Sequence, residues 1–133
     1  DHLRIGSGLK VLKVLGLLTE GTVEIGLNLD SKKLGRKDLI KIENRELTQT
    51  EVNKIAILSP EATLSIIREF KIVSKFRPEL KEEMEGVVHC QNPSCISNNE
   101  QIKTRFLVLE TEPVRLRCYY CERDCKRSEI ELL

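Results

Sequence analysis

The chain has 133 residues, with 22 Lys and Arg against 21 Asp and Glu, for a formal charge of +1. That near balance argues against a dedicated nucleic-acid binder, which normally carries a basic stripe, and the absence of Trp with only three Phe and two Tyr leaves few stacking platforms. No apolar run reaches membrane-spanning length and no stretch has the design of a signal peptide. Five Cys is an odd number and four of them fit a metal pattern, so a reducing, cytoplasmic location is expected rather than a disulfide framework.

Taken in order, Gly6-Ser7-Gly8 opens a segment in which Leu9, Val11, Leu12, Leu15 and Leu18 recur at three- and four-residue steps. The spacing predicts a helix over 8–18 with Ser7 as N-cap and Lys10 and Lys13 on the polar side. After a Glu20-Gly21-Thr22 turn, Val23, Ile25, Leu27 and Leu29 alternate with polar or small residues. Period two predicts a strand with one buried face. A polar loop over 30–35 leads to a second alternating run over 38–43, with Ile40 and Ile42 opposite Lys41 and Glu43, so the two strands are expected to form a hairpin. Thr48 and Glu51 have capping-box spacing, and Val52, Ile55, Ala56 and Leu58 continue a helical face that Pro60 ends. β-formers follow over 62–67, then a break near Arg68-Glu69 and a last strand through Phe70 and Ile72.

Residues 76–86 are charged, with Pro78 early and Gly86 at the end, a linker composition with room for a short helical turn. Beyond it, Phe106 and Val108 alternate with Leu107 and Leu109. Val114, Leu116 and Cys118 alternate with Arg115, Arg117 and Tyr119, a turn over 110–113 joins the two runs, and Ile130 to Leu133 form an edge strand or a docking tail. The fold class is therefore α+β: an N-terminal ferredoxin-like antiparallel sheet with two helices, followed by a small all-β C-terminal domain. The boundaries are drawn at 1–80, 81–86 for the linker, and 87–133. A ferredoxin-like sheet needs a strand before residue 8, and because the chain begins at Asp1-His2 without Met, that strand is expected upstream.

The strongest chemical signal is Cys90-x4-Cys95, twenty-two residues, then Cys118-x2-Cys121. Two close thiol pairs separated by a hairpin length suit a tetrahedral all-thiolate centre, and zinc is the metal such a set favours. Four protein ligands leave no position for substrate, so the metal is read as structural, one Zn2+ per chain. Lys103, Arg105, Arg115 and Arg117 are placed to offset the thiolate charge, or else form an ordinary solvated strand face. Cys125 is left over, and His89 is a neighbour of the first ligand rather than a ligand.

No nucleophile–base arrangement assembles around His2 and His89, the only histidines, and no phosphate-cradling glycine fingerprint is present, so the chain is not expected to be an enzyme. Lys37 and Lys41 share a strand face with Leu39 between them, which fits either a polyphosphate site or a solvated surface. The leading functional alternative is a nucleic-acid-binding zinc-ribbon protein using Arg105, Arg115, Arg117 and Arg127.

The run Gly35-Arg36-Lys37-Asp38-Leu39-Ile40-Lys41-Ile42-Glu43-Asn44, preceded by Ile25-Gly26-Leu27-Asn28-Leu29 and followed by Ser59-Pro60-Glu61-Ala62-Thr63 and the four cysteines, resembles the regulatory chain of aspartate carbamoyltransferase over essentially its whole length. The resemblance implies a non-catalytic subunit that binds CTP and ATP, with UTP a further candidate effector and Mg2+ accompanying the nucleotide, and that controls pyrimidine biosynthesis. It implies a homodimer of regulatory chains, attachment of the zinc domain to the catalytic chain, and a holoenzyme of two catalytic trimers and three regulatory dimers. It implies that Asp1 and His2 lie near base and ribose, that Lys37 and Lys41 contact ribose and triphosphate with Leu39 between them, and that Lys75 is a second triphosphate lysine. Ser65, Ile67, Phe70 and Ile72 match positions lining the pocket. Ser65 stands where Asn is familiar and Phe70 where Tyr is familiar, and each change removes polar capacity. Cys125 has no ligand role in the family pattern.

Overall fold

The computed structural model describes residues 1–16 and 21–133. The chain divides into two compact units, Asp1–Glu79 and Leu80–Leu133. It is an α+β protein whose ladders are all antiparallel hairpins or short pairs.

In the first unit, helix α1 covers Gly8–Val14 and is followed by Gly16 at φ +65°, which ends the helix in the left-handed region glycine favours. Residues 17 and 18, included in the sequence-based helix, lie outside the described residues. Ser7 occupies the N-cap position but its hydroxyl donates to the Arg4 carbonyl instead of capping. The capping acceptor comes from another element: Asp38 Oδ2 takes the N–H groups of Gly6 (3.1 Å) and Gly8 (2.9 Å). Helix α2 covers Gln49–Leu58 and carries the reciprocal capping box, Glu51 N–H to Thr48 Oγ1 and Thr48 N–H to Glu51 Oε1.

Strands β1 (Val23–Ser31) and β2 (Gly35–Ile42) form the first hairpin. Its apolar alternation does not bury one face of β1: Ile25, Leu27 and Leu29 all remain exposed. A bulge between Gly26 and Leu29, with Asn28 at φ +58°, breaks the period-two pattern there, and the Asn28 N–H turns to Asp38 Oδ1 (3.0 Å). Strands β3 (Leu64–Arg68) and β4 (Lys71–Phe76) form a second hairpin whose two turn residues, Glu69 and Phe70, both have positive φ. That is the backbone a two-residue hairpin turn prefers, here adopted without glycine.

Among the described residues these hairpins are separate ladders rather than one continuous sheet. The link between them is the segment at residues 1–3. Leu3 makes a two-way backbone bridge with Asp38 of β2, and Asp1 exchanges hydrogen bonds with Thr63 just before β3. Residues 1–3 thus lie between β2 and the start of β3. Leu3, Val11, Leu12, Leu15, Ile55 and Ala62 form the core beneath, with Val23, Ile40, Ile42, Leu47, Leu58 and Leu64 packed against it.

The second unit is built on a four-stranded sheet in the order β5-β7-β8-β9, where β5 is Glu83–Glu85, β7 Arg105–Thr111, β8 Val114–Cys118 and β9 Asp124–Lys126. Strand β5 lies in the charged run that composition marks as linker. Met84 is buried between exposed or half-buried glutamates and stands opposite Phe106. A single apolar residue flanked by charges is a period-two pattern too short to stand out. A small pair, β6 (Val88–His89) with β10 (Glu131–Leu132), takes the C-terminal residues as an edge strand. Helix α3 is one turn, Ile96–Asn99. Phe106, Leu116, Val114, Met84, Val87 and Val88 fill the core beside the buried cysteines.

Candidate functional sites

The second unit gathers Cys90, Cys95, Cys118 and Cys121 so that all four sulfurs lie within 4.8 Å of one another. Cys90 Sγ is 3.6 Å from Cys121 Sγ, and Cys95 Sγ is 3.7 Å from Cys118 Sγ. A regular tetrahedron with metal–sulfur bonds near 2.3 Å has edges of roughly 3.8 Å, whereas a disulfide needs about 2.05 Å. The four thiols therefore fit one tetrahedral metal ion and are not paired as disulfides. Burial pushes the Cys90 and Cys118 thiols up, so a cation is what makes four thiolates tenable in this space.

Short loops fix the two cysteine pairs. In the first, Cys95 occupies the N-cap position of α3 without a side-chain capping bond, and the Asn98 amide donates to the carbonyls of Cys90 (2.9 Å) and Asn92 (2.7 Å). The Asn99 amide donates to the carbonyls of Pro93 (3.0 Å) and Cys95 (2.8 Å), closing the Cys90–Cys95 loop from the other side. In the second, Cys118 ends β8, Glu122 N–H bonds back to the Cys118 carbonyl, and Cys118 N–H bonds to the Arg123 carbonyl. Despite burial, N–H donation from Arg123 and a side-chain bond with Asn92 help hold the Cys121 thiol below its ordinary pKa. Cys125 is buried on β9 opposite Leu116, outside the four-sulfur group, and burial raises its thiol. His89 is likewise outside the group.

The three arginines expected to offset thiolate charge are otherwise engaged. Arg105 pairs with Glu83 and lies 4.1 Å over the Tyr119 ring, Arg117 forks onto Asp124 (2.7 and 3.3 Å), and Arg115 pairs with Glu110 (3.5 Å) and Asp124 (3.9 Å). Three arginines tied to carboxylates make a balanced surface, not a cationic stripe.

The first unit holds a different kind of cluster. Lys37 Nζ is 2.7 Å from Asp1 Oδ1, which also accepts the His2 backbone N–H (2.7 Å). His2 has φ +56°, its Nδ1 is 3.6 Å from Asp1 Oδ2, and that nitrogen is buried without a hydrogen bond. Burial first, and then the fields of Lys37, Lys33 and Lys75, hold the imidazole below its ordinary pKa. Asp1, His2 and Lys37 of the sequence-derived set are therefore in contact, and the field of Lys75 reaches the His2 ring. The first two are positioned by the bonds of Asp1 to Thr63, Lys37 by β2, and Lys75 by its pairing with Ser65 across β3–β4. Leu39 is half-buried on β2 opposite Gly26, and Lys41 is exposed opposite Glu24, outside the cations that act on His2. Ile67 and Ile72 face each other on the second hairpin, both about 60% exposed, and Phe70 projects fully from its tip.

Two residues of this region escaped the sequence reading. Lys33 lay in a stretch read only as polar loop, and the adjacent Lys32-Lys33 pair was its one signal. Asp38 is 1% exposed and joins residues 3, 6, 8 and 28 to the strand carrying Lys37, through its backbone at Leu3 and its carboxylate at the other three. Its strand position offered no sign of burial, since it reads as one more charge in a charged run.

A group of four thiols suited to a closed metal centre in one unit and a separate cationic cluster in the other fit a two-part regulatory or adaptor chain. The comparisons with known proteins agree. Residues 1–79 match the aspartate carbamoyltransferase regulatory chain, allosteric domain, and residues 82–131 the metal binding domain of the same chain. The regulatory chain of Methanothrix thermoacetophila is 50% identical over 136 aligned positions, covering 100% of this chain and 88% of that one. Those of Pyrococcus abyssi (49%, covering 98% and 88%) and Methanothermobacter thermautotrophicus (47%, covering 98% and 85%) are similar to the same extent. The chain belongs to the family of aspartate carbamoyltransferase regulatory chains.

Proposed function

We propose that residues 1–80 are an allosteric nucleotide-binding domain for CTP and ATP, with UTP as a further effector, and that residues 87–133 are a zinc domain that fastens the chain to the catalytic chain of aspartate carbamoyltransferase. The observation that carries the nucleotide reading is the convergence of Lys33, Lys37 and Lys75 on His2, with Asp1 the carboxylate bonded there. Cations gathered with so little compensating charge favour a polyanion. His2 and Asp1 would meet base and ribose, Lys37, Lys41 and Lys75 the phosphates with Mg2+ accompanying them, and Leu39, Ser65, Ile67, Phe70 and Ile72 the apolar and hydrogen-bonding walls. Cys90, Cys95, Cys118 and Cys121 would hold one Zn2+, which supplies the cross-link that lets so small a sheet fold.

The mechanism is linkage. A nucleotide that binds one quaternary state of the holoenzyme more tightly shifts the population toward it, and the catalytic chains respond through the assembly of two catalytic trimers and three regulatory dimers. Pyrimidine biosynthesis in the cytoplasm is thereby set by the balance of effectors. The balanced arginines of the second unit speak against a nucleic-acid-binding zinc ribbon. Calorimetry of CTP and ATP on the purified chain is the test. Lys37→Ala and Lys41→Ala are expected to weaken both nucleotides about tenfold at unchanged metal content, and unaltered affinity in both variants would remove the assignment.

A further inference from the structure

A carboxylate stands where an anionic ligand is to be received. Asp1 Oδ1 lies 2.7 Å from Lys37 Nζ and also accepts the His2 backbone N–H (2.7 Å), so two bonds fix that oxygen. Asp1 also exchanges backbone hydrogen bonds with Thr63 (2.7 and 2.8 Å), and the carboxylate is thereby held at Lys37. Asp1 Oδ2 accepts no hydrogen bond among the described residues, and neither does His2 Nδ1, 3.6 Å away. A carboxylate oxygen accepts two bonds, so Oδ2 is an open acceptor on a side chain that is 37% exposed. Lys37 keeps ammonium donors to spare, since Asp1 occupies one of three. Charge-assisted bonds are about 2.8 Å long, so a phosphate oxygen received by Lys37 lies at most about 5.6 Å from Asp1 Oδ1. That is well inside a screening length of about 8–10 Å. A bare phosphate chain at Lys37 therefore meets repulsion from a fixed carboxylate and brings nothing for Oδ2. A ligand with a hydroxyl or amino group beside its phosphates donates to Oδ2 and turns the same carboxylate into a contact.

We infer that Asp1, paired to Lys37, is the selectivity element of this site. It discriminates against inorganic phosphate and polyphosphate and admits phosphates whose carrier supplies a hydrogen-bond donor, as the sugar hydroxyls or base amino group of a nucleotide do. The inference rests on the nucleotide reading above and adds to it the basis for choosing a nucleotide over an inorganic anion of similar charge. The correct ligand leaves the Asp1–Lys37 pair in place and bonds to both members, whereas an inorganic anion is attracted by one and repelled by the other.

The test is calorimetry of CTP, ATP and inorganic tripolyphosphate on the full chain at matched Mg2+, comparing wild type, Asp1→Asn and Asp1→Ala. Wild type is expected to prefer CTP over tripolyphosphate by about tenfold or more. Both variants should bind tripolyphosphate about fivefold more tightly than wild type, and CTP about threefold less tightly. A gain of affinity is not produced by a damaged fold, so a structural defect does not mimic this result. A wild-type chain that binds tripolyphosphate as tightly as CTP, or a tripolyphosphate affinity that rises in neither variant, would overturn the inference while leaving the nucleotide site standing. A rise confined to Asp1→Asn would trace to its new amide donor and overturn it as well. A folded, metal-loaded wild-type chain that binds neither CTP nor ATP would remove the site and this inference together.

Discussion

The two candidate sites are built on opposite principles. The thiolate centre draws its ligands from two short loops, each closed by bonds that span a few residues, such as the Asn98 amide on the Cys90 carbonyl and Glu122 N–H on the Cys118 carbonyl. The cationic cluster draws on residues 1–2, 33–37 and 75, and its geometry depends on how three distant segments are tied together. A site made of local loops can be read from spacing, because the loops carry their own geometry. A site made of separate segments depends on long-range bonds that leave no periodic trace.

The largest effect should come from the local site. Cys118→Ser, or removal of metal by a chelator, takes away a binding energy on the order of 10 kcal/mol that is also the folding energy of the second unit. The expected result is loss of that unit's ordered structure by NMR or circular dichroism and loss of co-elution with the catalytic chain, while nucleotide binding by the first unit persists. Retained assembly in metal-free protein would break the contrast between the units.

Next in size is the tie that organises the dispersed site. Asp38→Asn keeps the shape but turns an amide N–H toward backbone donors that now meet a carboxylate oxygen. Leaving one of the Gly6, Gly8 or Asn28 N–H groups without an acceptor is expected to cost about 2–3 kcal/mol in denaturant unfolding of the first unit. Metal content should not change. A smaller loss, about 1 kcal/mol, is expected for Thr48→Ala, which removes one half of the α2 capping box and touches neither site.

The smallest effect is electrostatic. The His2 pKa lies below its ordinary value of 6.5 in the free chain, so the neutral ring's contribution to folding is complete above pH 6.5 and is lost as pH falls toward the folded-state pKa. Burial of a partly covered ring comes first among the causes, followed by the fields of Lys37, Lys33 and Lys75, with the Asp1 carboxylate the opposing charge. A bound polyphosphate reverses that field and raises the His2 pKa. Binding therefore takes up a proton, and CTP affinity should rise as pH is lowered through and below 6.5. A His2→Gln chain should lose this slope, and calorimetry in buffers of different ionisation enthalpy reads the proton uptake directly.

Much of the architecture was legible because it is local. The capping box at Thr48–Glu51, the two hairpins of the first unit, the β7–β8 alternation and the metal spacing all rest on neighbours within a few residues. The misses have physical causes of the opposite kind. Ile25, Leu27 and Leu29 read as a buried face, but the bulge near Asn28 exists to serve a carboxylate ten residues away. Ser7 read as a cap, and a buried aspartate from β2 does that work instead. Strands β5 and β9 are three residues each, held by pairing with β7 and β8 rather than by any pattern of their own. Among the expected site residues, the fields of Lys37 and Lys75 reach His2 and that of Lys41 is not among them, a distinction that alternation along one strand has no means to make.

Residues 1–3 act as a seam. Asp1 is tied to Thr63 on one side and Leu3 to Asp38 on the other, so these residues join the strand that carries Lys37 to the start of the hairpin that carries Lys75. Backbone pairing advances in steps of one residue, and a single step would carry His2 to the opposite face of the seam. The cluster would then be dismantled with every lysine still in its own hairpin.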